Sequence, residues 1–92
     1  MMAQAKKIQK EIEKTSEEID STIFNYENEN ILIECYGSNK IKSTNIKNDE
    51  ILEDKEMLGD ILLVGINNIM DQISKTKEQK LGKYTNGLGG LF

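Results

Sequence analysis

Residues 51–73 read ILEDKEMLGDILLVGINNIMDQI, with an apolar residue every three or four positions. Leu58, Ile61, Leu62, Gly65, Ile66, Ile69, Met70 and Ile73 fall at i, i+3, i+4, i+7, i+8, i+11, i+12 and i+15, the spacing of one stripe along an α-helix. A half-buried strand would alternate with period two instead. Met57, Leu63 and Val64 lie off the stripe, so between Ile61 and Val64 the helix is apolar on nearly every side. One core contact does not use that much apolar surface. In a chain of 92 residues the covering surface is expected to come from a second copy in a symmetric homodimer. A mid-helix glycine costs about 1 kcal/mol relative to alanine, so Gly65 is expected at a close approach of backbone. The expected dimer interface is therefore Met57, Leu63, Val64 and Gly65.

Working outward, Asp49 to Asp54 leads into this helix, with Glu53 or Asp54 as its N-cap and the neighbouring carboxylates placed well for the helix dipole. The helix is expected to fade near Lys80 to Gly82. Tyr84 to Phe92, rich in glycine, reads as a flexible tail. At the other end, Ala5, Ile8, Ile12, Thr15 and Ile19 are spaced by three and four, a short heptad seam on a first helix from Met2 through Ile19.

Between the helices the pattern changes to short runs broken by turns. Thr22 to Glu27, Ile31 to Tyr36 and Lys40 to Lys47 are strand candidates, separated by Asn28–Asn30 and by Gly37–Asn39. Three strands on short turns make an antiparallel meander. The fold class is α+β in the order α-β-β-β-α, a single domain over residues 1–92. In the middle strand Ile31, Ile33 and Cys35 alternate with Leu32, Glu34 and Tyr36. The carboxylate of Glu34 selects the first set as the buried one, facing the helical stripe that holds Leu58, Leu62 and Ile69.

Composition narrows the chemistry. Histidine is absent, which removes most general acid–base schemes, and with one cysteine the chain offers no zinc site of ordinary composition. Cys35 reads as a small buried hydrophobe rather than a nucleophile, because no imidazole is present to activate it. Glu53, Asp54, Glu56 and Asp60 could be drawn as a magnesium site, but an acidic first turn is ordinary helix design. No enzyme activity, cofactor, metal or small-molecule substrate is expected. No apolar run reaches the length of a membrane span and MMAQAKKIQKEIEK lacks the apolar core of a signal peptide, so a cytoplasmic protein without membrane contact is expected.

Charge is the remaining clue. Lys6, Lys7, Lys10 and Lys14 crowd the start of the first helix, and Lys75, Lys77, Lys80 and Lys83 the far part of the second. Helices joined through a compact meander run roughly antiparallel, which would bring both clusters to one end of the protomer. The formal net charge is −4, so any attraction to a polyanion has to be local. Plain solvated surface is the competing reading, with pairs such as Lys7 with Glu11 and Lys14 with Glu18.

The opening segment MAQAKKIQKEIEKTSEEI resembles the first helix of the YbaB/EbfC nucleoid-associated proteins, with Gln4, Ala5, Ile8 and Gln9 in matching places. Asp54, Lys55, Glu56, Met57 and Leu58 are similar to that family's acidic-Lys-Glu-Met-Leu segment, and Asp60, Ile61 and Asn67 to its next turns; Gly37 and Ile46 fit as well. Gly59 stands where the family usually has a charged residue, and Leu63 and Val64 where alanines are common. The resemblance covers Met2 to about Gly87 and implies a tweezer-shaped homodimer that binds double-stranded DNA with little sequence preference and affects nucleoid organisation. The eight clustered lysines are then the expected phosphate contacts, with few side chains reaching base edges. The alternative is a helical protein-interaction module, a prefoldin-like holdase or an assembly adaptor, that uses the first-helix seam and the Leu-Phe tail and binds no DNA.

Overall fold

The computed structural model describes residues 2–87, with side chains from Gln4 to Tyr84. Helix α1 (Met2–Ser21) is followed by strands β1 (Ile23–Glu27), β2 (Ile31–Tyr36) and β3 (Ile41–Ile46). A short 3-10 helix (Asp49–Glu53) and the long helix α2 (Lys55–Gly87) complete the order. The expected α-β-β-β-α architecture is therefore the observed one. The sheet is an antiparallel meander in the order β1-β2-β3.

The turns follow from their residues. Asn28 Oδ1 accepts from the backbone N–H groups of Asn30 and Ile31, which closes the first hairpin. In the second, Asn39 takes φ 71°, a conformation that asparagine tolerates better than most residues. Gly37 is buried there, and a β carbon on it would collide with the backbone carbonyl of Ile19 at the end of α1.

The parity of β2 settles the core. Ile31, Ile33 and Cys35 are buried and join Ile69 and Ile73 of α2 in one cluster, with Phe24, Tyr26, Leu58, Ile61, Leu62 and Met70 packed around it. Glu34 faces the opposite side, accepting from Ser43 Oγ at 2.8 Å with Lys42 Nζ at 3.8 Å. Burial pushes the Cys35 thiol above its ordinary pKa by desolvating the thiolate.

Two features depart from the expectation, and one choice left open there is resolved. Residues 49–53 form a separate 3-10 helix before α2, capped by the Asn48 side chain on Glu50 N–H and plugging the core with Ile51. Asp54, not Glu53, then caps α2, its carboxylate accepting from Met57 N–H at 3.0 Å. The helix does not fade at Lys80–Gly82 but runs on to Gly87, because Leu81 and Tyr84 remain half-buried. Tyr84 to Gly87 of the expected tail are thus helical, and Leu88 to Phe92 lie outside the described residues.

Helix α2 packs over β1 and β2 rather than over β3. Gln72 Nε2 donates to the carbonyl of Asn25 at 2.9 Å, which occupies the free edge of β1. On β3, a register irregularity opposite Glu34 and Cys35 inserts Lys42 between Ile41 and Ser43.

Candidate nucleic-acid interface

Ile73 is the last residue that α2 contributes to the core shared with the sheet. Past Ile73 the helix is accompanied by α1, and Thr15 and Glu18 of α1 line a cleft with Gln79, Lys80 and Lys83 of α2. Because α1 enters the sheet at Thr22, beside β1 and Gln72, the two helices run antiparallel away from the sheet. They form an arm on a molecule measuring 62 × 21 × 15 Å. The α1 seam supplies the packing, with Ile8, Ile12 and Thr15 half-buried and Ile19 fully buried, while Ala5 is exposed.

All eight lysines expected at phosphate contacts lie on this arm. Lys6, Lys7, Lys10, Lys14, Lys75, Lys80 and Lys83 are exposed, and Lys77 is half-buried. Lys80 and Lys83 share the cleft, whereas Lys7, Lys10 and Lys14 recur at i, i+3 and i+7, so they share one face of α1. Lys83 Nζ stands 4.9 Å from the centre of the Tyr84 ring, an aromatic neighbour that the glycine-rich pattern alone places in the tail. Among the described residues the ion pairs are Lys42–Glu34 and Lys47–Glu27, both on the sheet. Neither Lys7 with Glu11 nor Lys14 with Glu18 is among them.

The arm is not uniformly basic, since Glu11, Glu13, Glu17, Glu18 and Glu78 interleave with the eight lysines. The densest acidic block, Asp49 to Asp60 with six carboxylates against Lys55, sits at the start of α2. At about 1.5 Å per residue, Asp60 and Lys75 are roughly 22 Å apart along the helix. The screening length at physiological salt is about 8 Å. Repulsion from the acidic end therefore does not cancel attraction at the arm, and the net sign of the chain does not decide the matter.

The profile of the YbaB/EbfC DNA-binding family matches residues 1–88. The chain belongs to the YbaB/EbfC family. Among its relatives, a nucleoid-associated protein of Lactococcus lactis subsp. cremoris (strain MG1363) is 42% identical over 91 residues, covering 96% of this chain and 92% of that protein. One of Enterococcus faecalis (strain ATCC 700802 / V583) is 37% identical over 94 residues, covering 99% and 90%. One of Ligilactobacillus salivarius (strain UCC118) is 31% identical over the same length and the same shares. The family is one of DNA-binding nucleoid proteins, and the lysine-bearing arm is this member's candidate DNA surface. Among the described residues no helix is long and apolar enough to cross a membrane.

The residues expected between copies divide into two kinds. Met57, Leu63 and Val64 are 47%, 61% and 57% exposed, a high figure for side chains of their size. Gly65 is buried within the protomer, beneath Tyr26 and Ile33. Two further exposed isoleucines, Ile41 and Ile46, lie on β3. Sequence reasoning misses them because the strand reads as polar, yet they stand opposite Cys35 and Ile31 and so point to the core side of the sheet.

Proposed function

We propose that this YbaB/EbfC protein binds double-stranded DNA as a homodimer with little sequence preference, and that it works in the cytoplasm on the nucleoid without cofactor or small-molecule substrate. The observation that carries the reading is the gathering of Lys6, Lys7, Lys10, Lys14, Lys75, Lys77, Lys80 and Lys83 on one paired-helix arm. Lysine is a point charge without the planar fork that reads guanine edges, and it suits phosphate contacts that carry no sequence information. Exposed Met57, Leu63 and Val64 supply apolar surface for a second copy, and pairing doubles the number of arms that engage one duplex. Two arms on one duplex offset the weak charge of each.

A gel-shift titration with a random duplex at two salt concentrations tests this. Retention at low salt that falls steeply at higher salt, equal for unrelated sequences, is the expected result. A dimer that ignores random duplex at low salt would replace the DNA role with that of a protein-binding helical module.

A further inference from the structure

The arm has two sides of opposite sign. Ile12 and Ile19 pack inward from α1, and in an α-helix the chain neighbours of an inward residue flank it on either side, about 100° away. Glu11 and Glu18 therefore lie on one side of α1, and Glu13 and Asp20 on the other. Glu18 lines the cleft with Lys80 and Lys83, which makes the first of these the cleft side. Lys7 and Lys14 belong to it as well, because Lys7, Glu11, Lys14 and Glu18 recur at i, i+4, i+7 and i+11. Lys10, three residues from Lys7, borders it on the outer face. The cleft side thus sets four lysines against two glutamates. On the far side Lys6 shares a stripe with Glu13 and Asp20, at i, i+7 and i+14, and Glu78 of α2 stands about 200° round its helix from Lys80. There one lysine meets three carboxylates.

We propose that double-stranded DNA meets the arm on its cleft side alone, with Lys7, Lys14, Lys80 and Lys83 on the phosphates and the far side turned away. The proposal rests on the DNA-binding reading above and divides the lysines of that reading. Magnitudes allow such a division. The two sides are a helix width apart, about 10 Å, beyond the screening length of about 8 Å, so a phosphate at one side responds to the local sign rather than to the sum. The lining of the cleft also suits a phosphate. Thr15 brings a hydroxyl and Gln79 an amide, both able to donate to phosphate oxygens beside the two ammonium groups. The Tyr84 ring, 4.9 Å from Lys83 Nζ, steadies one of those ammonium groups. Glu18 is the exception within the cleft and tempers the attraction without reversing its sign.

Glu11 and Glu13 are both exposed, so Glu11→Lys and Glu13→Lys change the net charge equally, two residues apart on one helix but on opposite sides of the arm. With the full-length chain and a random duplex at about 0.1 M salt, Glu11→Lys is expected to tighten binding by about tenfold and to steepen the slope of log affinity against log salt by roughly 0.9. Glu13→Lys is expected to move affinity by about twofold or less. Equal gains overturn the one-sided contact while leaving DNA binding itself standing. A wild type that ignores random duplex at low salt overturns both. A second measurement needs no substitution: lysine acetylation of the wild type with and without duplex, read by mass spectrometry. Lys7, Lys14, Lys80 and Lys83 are expected to be shielded more strongly than Lys6, and shielding of Lys6 equal to theirs overturns the proposal.

Discussion

The ring of Tyr26 closes over the backbone of Gly65: a β carbon at that glycine would stand 2.9 Å from Tyr26 Cδ2 and 3.2 Å from Ile33 Cδ1. The helix reaches the sheet this closely only because residue 65 has no side chain. Gly65→Ala gains about 1 kcal/mol of helix propensity. It also forces the ring and Ile33 apart, an overpacking strain of about 1–3 kcal/mol. The net expectation is destabilisation. Gly65→Leu should cost far more. Gly59, earlier in the same helix, has open space where a methyl would go, with nothing within 4 Å, so Gly59→Ala keeps the propensity gain of about 1 kcal/mol. Opposite signs in urea denaturation are expected for the two alanine variants, and a stabilised Gly65→Ala would show that the Tyr26 contact imposes no constraint.

The start of α2 gives a local test. Asp54 accepts from Met57 N–H, while the side chain of Glu53 makes no hydrogen bond among the described residues. Asp54→Ala should therefore cost about 1 kcal/mol, the usual loss at an N-cap, and Glu53→Ala a few tenths. Chemical denaturation of the two variants side by side checks the assignment, and equal losses would refute it.

Cys35 links burial to pH. Desolvation raises the folded thiol pKa above its unfolded value of about 8.5, so in the window between the two the folded chain holds a proton that the unfolded chain has lost. The stabilisation is fully present below the unfolded value and is lost as pH rises from there through the folded one. The stability difference between wild type and Cys35→Ala should be constant from about pH 6 to 8 and then shift against the wild type on the alkaline side. Denaturation curves at about pH 7 and pH 10 measure it, and an identical difference at both would mean that the thiol is solvated. The same burial predicts slow reaction with a thiol reagent under native conditions.

Much of this architecture is legible because burial imposes a period. Ile69 and Ile73 at the centre of the α2 stripe, and Ile31, Ile33 and Cys35 of β2, are recognisable from spacing and from the position of Glu34. What escapes depends on partners distant in sequence. Gly82 looks like a stop signal, but α1 lies alongside and Leu81 and Tyr84 pack, so the helix continues. Gly65 advertises a close approach without saying to what, and the surface is the chain's own sheet. Ile41 and Ile46 look incidental because the bulge at Lys42 breaks the alternation that would put them on one face. Of the candidate site, the lysines and their common arm are readable, whereas the glutamate among them in the cleft, Glu18, becomes visible only once α1 and α2 are set side by side.

The arm makes the last prediction quantitative. If the eight lysines bind phosphates, association is driven by counterion release, and each phosphate neutralised adds roughly 0.9 to the slope of log affinity against log salt. Replacing Lys75, Lys77, Lys80 and Lys83 with alanine should flatten that slope and weaken binding to every duplex by a similar factor. Alanine is the best helix former, and the buried α2 core ends at Ile73, so helix content and dimerisation should be unaffected. Lys77 is half-buried, so its alkyl stem also covers apolar surface, and its replacement alone should lower thermal stability more than that of fully exposed Lys75. Glu18→Gln supplies the opposite sign: removing the carboxylate beside Lys80 and Lys83 should strengthen binding at low salt, with the gain shrinking as salt rises. Fluorescence anisotropy with two unrelated duplexes across a salt series reads all of these. A loss confined to one sequence would indicate base readout, and an unchanged slope in the four-alanine variant would move the DNA surface off the arm.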